Sequence, residues 1–318
     1  MADIVLQTRS LTKRYGDTLA VDQLSLEITS GEIFGFLGPN GAGKTTSINM
    51  MVGLIDPSEG DVFILGQSIR ERKARPLQRV GVCPQENILW EKLTCLEQLE
   101  FVGANYGLST QQARKNGAAL LAELGLSAKG NELAGRLSGG MKRRLNLALA
   151  MVHDPYIVFL DEPEAGLDPQ SRVLVREMIC RQAQHKTVVL TTHNMDEAER
   201  LASRVAIIDH GRLLVVDTPY GLKRGLGIEE LLEIEIDLPA GQAAAQEGAR
   251  LLNSLSARFP GAQLASGVLI LRGASLAARL PEALALVQAC GRRAGSIHMR
   301  PVTLEDVFLS LTGRGLRE

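Results

Sequence analysis

The fold of this chain is decided by one stretch, Gly38-Pro39-Asn40-Gly41-Ala42-Gly43-Lys44-Thr45-Thr46. An apolar run at residues 33–37 precedes it, and a helix-like stretch begins after it at Ser47-Ile48. A glycine followed by four residues and then Gly-Lys-Thr is the phosphate-loop pattern. Glycines let the backbone curl with its N–H groups pointing inward, toward a phosphate. The alternative is a ligand-free glycine-rich turn, but the full match between a strand and a helix favours a phosphate loop.

The residue types of this loop predict particular contacts. The following helix adds the positive end of its dipole to the loop, which attracts an anion. Lys44 would reach the β- and γ-phosphates of a nucleotide, and the Thr45 hydroxyl would ligate Mg²⁺. Residues 38–46 are therefore a candidate nucleotide site.

Composition limits the class of protein. A length of 318 residues suggests about two domains, and 45% apolar residues fit a globular chain. No uninterrupted apolar run approaches the length of a membrane-spanning helix, and the first ten residues do not resemble a secretory signal. A net charge of −1 gives no reason to expect nucleic acid as a partner.

The four cysteines are scattered without a Cys-x-x-Cys pair. This spacing argues against a zinc site or a disulfide framework and favours a reducing compartment. We interpret the cysteines as small core or surface residues. They are Cys83, Cys95, Cys180 and Cys290.

Two further strand ends carry polar residues. The apolar run 157–160 is typical of a central parallel strand, and it ends in Asp161-Glu162. Ligands bind beyond the carboxyl ends of such strands, and adjacent carboxylates there point to opposite sides. One acid could hold Mg²⁺ while the other faces a nucleophile, although two solvated loop acids are the alternative. A second strand, 187–192, ends in His193, which is either structural or a sensor of a γ-phosphate.

Helical patterns fill the middle of the chain. Leucines recur at three- and four-residue spacing between about 91 and 129, and Ser138 can cap a helix whose face includes Leu145 and Leu149. Ser138-Gly139-Gly140 either binds an anion at the helix start or simply caps an ordinary helix. We interpret Lys142-Arg143-Arg144 as the solvated face of this helix. Asn194 and Glu197 have the spacing of a capping box.

The sequence changes character near residue 225, where we place a domain boundary. The first domain is 1–225, with a helical subdomain at about 86–153, and the second is a small α+β domain at 226–318. Strands are expected at 231–238, 268–272 and 296–300, and helices at 241–257 and 276–292. A last amphipathic helix begins at Thr303, with a capping box to Asp306 and a stop at Gly313.

Together these motifs resemble the ATP-binding subunit of an ABC (ATP-binding cassette) transporter, over about residues 3–225. The resemblance implies an α/β fold of the P-loop NTPase class, with a RecA-like core, an N-terminal antiparallel β subdomain and an inserted helical subdomain. Residues 38–46 correspond to the Walker A loop, 137–141 to the signature, 157–161 to Walker B, and 166–168 to the D-loop. One departure is Glu164, where the family usually has Thr or Ser.

The resemblance also implies the roles of individual residues. Glu162, His193 and Lys44 are expected to be catalytic. Thr45, Gln85 and Asp161 are expected to hold Mg²⁺. ATP is expected to contact Tyr15, Gly38, Pro39, Asn40, Gly41, Ala42, Gly43, Lys44, Thr45, Thr46, Gln85, Ser138, Gly139, Gly140 and Asp168. From the residues alone, packing in a strand is the favoured interpretation of Tyr15.

Partners follow from the same resemblance. Two copies would pair head to tail around two ATP molecules, and the pair would energise export through a separate ABC-2-type membrane subunit. The chain would then be cytoplasmic and peripheral on the inner face of the cell membrane. The alternatives are a soluble ABC protein acting on ribosomes or DNA, which usually has two cassettes or a long coiled coil, and a regulatory module that senses ATP.

Overall fold

The computed structural model describes residues 3–71, 76–227, 230–238, 242–265 and 267–313. The chain divides into two compact units, Met1–Pro219 and Tyr220–Gly315. The division thus falls at the start of a short helix, Pro219–Gly225, whereas the sequence places the boundary at the end of that helix.

The elements of the first unit alternate between strands and helices. The strands are β1 (Ile4–Tyr15), β2 (Thr18–Thr29), β3 (Ile33–Leu37), β4 (Glu59–Ile64), β5 (Gln67–Ser68), β6 (Val80–Cys83), β7 (Ile157–Asp161), β8 (Thr187–Thr192), β9 (Arg204–Asp209) and β10 (Arg212–Asp217). The helices are α1 (Lys44–Met51), α2 (Cys95–Asn105), α3 (Thr110–Glu123), α4 (Gly139–Met151), α5 (Pro169–Ala183) and α6 (Met195–Leu201).

A six-stranded sheet forms the base of the first unit. Its order is β10-β9-β3-β8-β7-β6, and only the β9–β10 hairpin is antiparallel. Every residue of β3, β7 and β8 is buried, as expected for strands covered on both faces. Because these strands are parallel, their carboxyl ends lie at the same edge of the sheet. The phosphate loop follows β3, Asp161 is the last residue of β7 with Glu162 directly after it, and His193 follows β8.

A second sheet of the first unit is antiparallel, in the order β2-β1-β4-β5. Apolar side chains of both sheets share one core, which includes Leu6, Ile28, Phe34, Phe36 and Phe159. Burial of this shared core holds the two sheets together. The expected antiparallel subdomain is therefore present.

Helix ends mostly follow the predicted capping signals. Ser138 accepts a hydrogen bond from the Met141 N–H at 3.3 Å and caps α4. Asn194 likewise caps α6, but the predicted box is only half formed. The carboxylate of Glu197 turns instead to the hydroxyl of Thr192, 2.6 Å away.

The second unit is a small α+β structure. It contains α7 (Pro219–Gly225), β11 (Glu230–Ile236), α8 (Gln242–Ser256), β12 (Gln263–Ala265), β13 (Val268–Gly273), α9 (Leu276–Ala289), β14 (Ala294–Pro301) and α10 (Leu304–Thr312). The antiparallel sheet has the order β12-β13-β11-β14. Its core packs strand residues such as Leu232 against helix residues such as Leu251 and Val287. The capping box of Thr303 and Asp306 and the stop at Gly313 are both present. Among the described helices, none has the length and apolar character needed to cross a bilayer.

Candidate functional site

The phosphate loop connects β3 to α1. Helix α1 begins at Lys44, three residues earlier than predicted, because the Ser47 N–H already bonds the Gly43 carbonyl at 2.9 Å. Gly43 has a φ of +97°, and a Cβ there would lie 2.5 Å from the Ala20 carbonyl oxygen. A Cβ on Gly38 would lie 2.2 Å from the Ile208 carbonyl oxygen. Both positions therefore require glycine.

Lys44 is almost completely buried, with 6% of its surface exposed. Its ammonium group donates to the carbonyls of Gly38 at 2.8 Å and Pro39 at 3.0 Å, so it lies inside the curve of the loop. Burial lowers the pKa of Lys44, because desolvation outweighs the attraction of Glu162 and Asp161. A bound phosphate could exchange with the two carbonyl oxygens as a stronger partner of this cation.

Asp161 connects the loop to β8. Its carboxylate accepts one hydrogen bond from the Thr45 hydroxyl at 3.0 Å and another from the Thr191 hydroxyl. A hydroxyl beside a carboxylate fits Mg²⁺, which in nucleotide sites binds few protein oxygens together with phosphates and water. The described residues contain no cluster of three or more His, Cys, Asp or Glu that could hold a metal ion without a ligand.

Glu162 lies at the centre of the site. Oε1 of its carboxylate is 2.8 Å from Nδ1 of His193. Oε2 accepts a hydrogen bond from the Gln85 amide at 3.3 Å. Its backbone has a φ of +50°, and its N–H donates to the Thr191 hydroxyl at 3.0 Å. Asp161 and Glu162 thus have different side-chain partners, as adjacent residues at a strand end should. A non-glycine residue at positive φ stores strain, which is typical of functional sites.

These residues surround a cavity of about 390 Å³. Its volume falls within the range of small-molecule sites. The cavity is lined by Ala20, Asn40, Gly41, Gly43, Lys44, Thr45, Thr46, Gln85 and Glu162. The structure therefore brings the predicted loop, Gln85 and the acidic strand end together. Ala20 is the one lining residue that the sequence analysis does not identify, since an alanine in a strand carries no signal.

Eight expected nucleotide contacts do not line this cavity, and three of them, Gly38, Pro39 and Ala42, belong to the phosphate loop itself. The other five lie outside the loop. Tyr15 is 48% exposed, and its ring centre is 5.2 Å from the Lys13 ammonium. Ser138, Gly139 and Gly140 begin α4, and Asp168 caps α5 by accepting from the Ser171 N–H at 3.1 Å. A Cβ on Gly140 would be 3.5 Å from an Asp168 oxygen, so the signature and the D-loop are neighbours.

The interpretation of residues 142–144 as a solvated face is wrong for Arg143, which is only 3% exposed. Its guanidinium donates to five backbone carbonyls, those of Pro84, Gln85, Asp161, Glu162 and Pro163. The sequence did contain a signal for this burial. Residues 145–152 are nearly all apolar, and a helix that is apolar all round is buried on every side.

Glu164 is also buried, with 7% exposed, and it has a partner in the same chain. Its two carboxylate oxygens accept from the Arg176 guanidinium at 3.1 and 2.9 Å. The extra charge noted at this position is therefore paired with Arg176. The bidentate geometry is the strong form of this interaction.

A second, smaller cavity of about 150 Å³ is lined by Glu162, Glu164 and Glu197, among others. Glu197 is 5% exposed, and its Oε1 has no hydrogen-bond partner among the described residues. Burial raises the pKa of Glu197 to about 7, despite the hydrogen bond from Thr192. The carboxyl group therefore keeps its proton well above the ordinary range of glutamate.

Comparisons with known proteins identify similar sequences and similar folds. A family model described as ABC transporter matches residues 21–165. The Nod factor export ATP-binding protein I of Sinorhizobium fredii is 39% identical over 319 residues, which covers 100% of this chain and 88% of the relative.

Two solved structures are similar in fold. One, the ATP-binding subunit of an ABC transporter, has 27% identity and a TM-score of 0.65, with 70% of this chain and 93% of the other covered. The other is an ATP-binding cassette in a dimeric, post-hydrolysis state bound to ADP and phosphate. It has 25% identity and a TM-score of 0.62, with 67% of this chain and 98% of the other covered.

Proposed function

This chain belongs to the ABC transporter family as an ATP-binding subunit, and from that premise we propose how its own residues bind and hydrolyse ATP. The phosphates would lie in the 390 Å³ cavity, against the N–H groups of residues 40–46 and the ammonium group of Lys44. The observation that carries this proposal is the hydrogen-bonded group Gln85–Glu162–His193 beside the phosphate loop.

Hydrolysis requires a water molecule to attack the γ-phosphate. We assign Glu162 as the group that orients this water and accepts its proton, because its carboxylate faces the cavity. His193 holds Oε1 of that carboxylate, and the cation of Lys44 stabilises charge on the transferring phosphoryl group. Thr45 and Asp161 would hold Mg²⁺, with Gln85 nearby, and the ion would neutralise charge on the β- and γ-phosphates.

A second copy of the chain would complete each site. The signature residues Ser138, Gly139 and Gly140 and the D-loop residue Asp168 do not line the cavity of their own chain. In a head-to-tail pair they would instead face the γ-phosphate held by the other copy, while Tyr15 would stack on the adenine. ADP lacks that phosphate, so ATP alone would favour the closed pair, because only a ligand with different affinities for the two states shifts their equilibrium. The dimeric state of the similar cassette supports this arrangement.

The partner in the membrane would be an ABC-2-type subunit, and it would bind beside Gln85. The segment 86–110 exposes Ile88, Trp90 and Phe101, and the last two rings pack edge to face at 5.2 Å. Exposed apolar side chains of this kind mark interaction sites. We propose that a helix of the membrane subunit packs here, which would place the chain in the cytoplasm on the inner face of the membrane.

The second domain predicted from the sequence, residues 226–318, is proposed to be an accessory domain that stabilises the pair of copies. Its strand β14 is exposed along most of its length and presents Ile297 and Met299. Within the described residues, β14 pairs only with β11, so one edge is open to another strand. Removing residues 226–318 should weaken pairing without changing ATP binding by the first unit.

Co-purification and reconstitution test this function. A multi-spanning subunit should purify with the chain from detergent-solubilised membranes, and the reconstituted pair should hydrolyse ATP. The Asn40→Glu variant should lose both binding and turnover because a new carboxylate would repel phosphate in the cavity. Full turnover without any membrane partner under native conditions would argue against the transport function. A panel of candidate cargoes then identifies the transported molecule by stimulation of turnover.

A further inference from the structure

Arg143 is the buried cation that the mechanism above does not use. The guanidinium group has five N–H donors, and each has one backbone carbonyl as its acceptor. All the hydrogen-bond acceptors of Arg143 among the described residues are carbonyls, and none is a carboxylate. The charge is therefore stabilised by oriented peptide dipoles. A methionine of similar length would remove all five donors, and of the Glu162 carbonyl's bonds only the one from the Ala165 N–H, at 3.1 Å, would remain.

The five carbonyls come from the ends of two neighbouring strands. Strands β6 and β7 pair in parallel up to Cys83 and Leu160. Beyond that pair the guanidinium lies between the two chain segments, bonding 84–85 on one side and 161–163 on the other. These segments carry Gln85 and Glu162, whose side chains meet at 3.3 Å. Arg143 thus contacts the backbone of both members of that functional pair.

The helix that carries Arg143 is itself held tightly against β6. A Cβ on Gly81 would lie 1.9 Å from the Ala150 carbonyl oxygen, so only glycine permits this close approach. Farther along α4, the Asn146 amide donates to the Glu86 carbonyl at 3.3 Å. The base of the Arg143 side chain is therefore fixed relative to the strands, and its guanidinium can hold their ends in place.

We propose that Arg143 is a positioning residue for ATP hydrolysis, which keeps the carboxylate of Glu162 directed at the attacking water. Glu162 has an unfavoured positive φ, and the bonds from Arg143 hold the carbonyls on both sides of that residue. The inference rests on the proposed role of Glu162 as the base. A displacement of about 1 Å at such a group costs about 10²-fold in rate.

The test compares three variants of the full chain with its membrane partner. Arg143→Met removes all five donors while keeping the apolar stem, and Arg143→Lys keeps the charge with fewer, differently placed donors. Lys142→Met is the matched control, since Lys142 is on the same helix and forms an ion pair with the exposed Glu91 at the protein surface. We expect Arg143→Met to lower kcat about 10²-fold with unchanged Kd for ATP, Arg143→Lys to fall between, and the control to retain full turnover.

A double-mutant cycle with Glu162→Gln separates positioning from general destabilisation. If Arg143 acts through Glu162, adding Arg143→Met to Glu162→Gln should reduce the residual rate no further. Full kcat in Arg143→Met, a parallel loss of ATP affinity, or a further loss in the double variant would each overturn the proposal. If Arg143→Met fails to fold, the same double-mutant cycle is carried out with Arg143→Lys, and the same outcomes support or overturn the proposal. Normal turnover in Glu162→Gln alone would instead refute the role of Glu162.

Discussion

Nδ1 of His193 lies 2.8 Å from Oε1 of Glu162, across the ends of the neighbouring strands β8 and β7. This contact fixes one end of the carboxylate while the Gln85 amide approaches the other end. The side chain of His193 is 53% exposed, so it can also reach a ligand at the mouth of the cavity. Under the proposed function, this histidine would orient the base and could also sense the γ-phosphate.

Replacing His193 tests this relationship. His193→Ala should lower kcat by about 10²-fold, because a mispositioned base loses most of its contribution, while the affinity for ATP stays the same. Steady-state ATPase assays and equilibrium nucleotide binding give both quantities. His185→Ala, at an exposed histidine, is the control. Equal turnover in the two variants would show that His193 has no role in hydrolysis.

Replacing Glu162 tests the base directly. Glu162→Gln keeps the size of the side chain and its contacts but cannot accept a proton. We expect kcat to fall by about 10²–10⁴-fold, the usual contribution of general-base catalysis, with ATP still bound. Single-turnover hydrolysis with excess protein measures the chemical step. A normal rate in that assay would contradict the assignment.

Glu197 should make stability depend on pH. Its pKa in the folded chain is about 7, against an ordinary value of 4.5, so between these values the folded state binds more protons than the unfolded state. Stability should therefore fall as pH rises from about 4.5 to 7, and then level off. Glu197→Gln removes the ionised form, and its advantage over the native chain should grow with pH, to at most about 3 kcal/mol.

Thermal unfolding of the nucleotide-free protein between pH 5 and pH 8 measures this effect. The difference in Tm between Glu197→Gln and the native chain should be small at pH 5 and largest at pH 8. Asp196→Asn, at an exposed residue of the same helix, should show no such trend. A constant difference across the range would mean that Glu197 is ionised throughout.

The Glu164–Arg176 pair gives a prediction about stability. Arg176→Met would leave Glu164 buried without its bidentate partner, which should cost about 3 kcal/mol. Adding Glu164→Thr should recover most of that loss, because the unpaired carboxylate is then gone. Chemical denaturation of both variants measures the difference. Arg181→Met, which breaks a more exposed pair on the same helix, should cost less than about 1 kcal/mol. Equal losses in the single and double variants would contradict the account.

Much of this architecture could be predicted from the sequence. The strand patterns at 33–37, 157–160 and 187–192 predicted the positions of β3, β7 and β8, and the parallel arrangement then brought their polar ends together. Capping signals at Ser138 and Thr303 were equally informative, because they depend on residues three positions apart. Local patterns are reliable where the interaction itself is local.

Contacts between distant segments could not be predicted in the same way. Glu164 and Arg176 meet only because α5 folds back beside the strand end, and a charge in a sequence does not reveal its partner. Glu197 has capping-box spacing, but Thr192 competes successfully for its carboxylate. For Arg143, the apolar residues 145–152 signalled burial, but the basic run suggested a solvated face, and no local pattern identified the five carbonyls that the guanidinium contacts.

The central claim is that the terminal phosphate of ATP joins two copies of the chain. Light scattering of purified Glu162→Gln, in which bound ATP persists, measures this most directly. The account predicts a dimer with ATP and a monomer with ADP. The same mass with both nucleotides, even together with the membrane subunit, would contradict it.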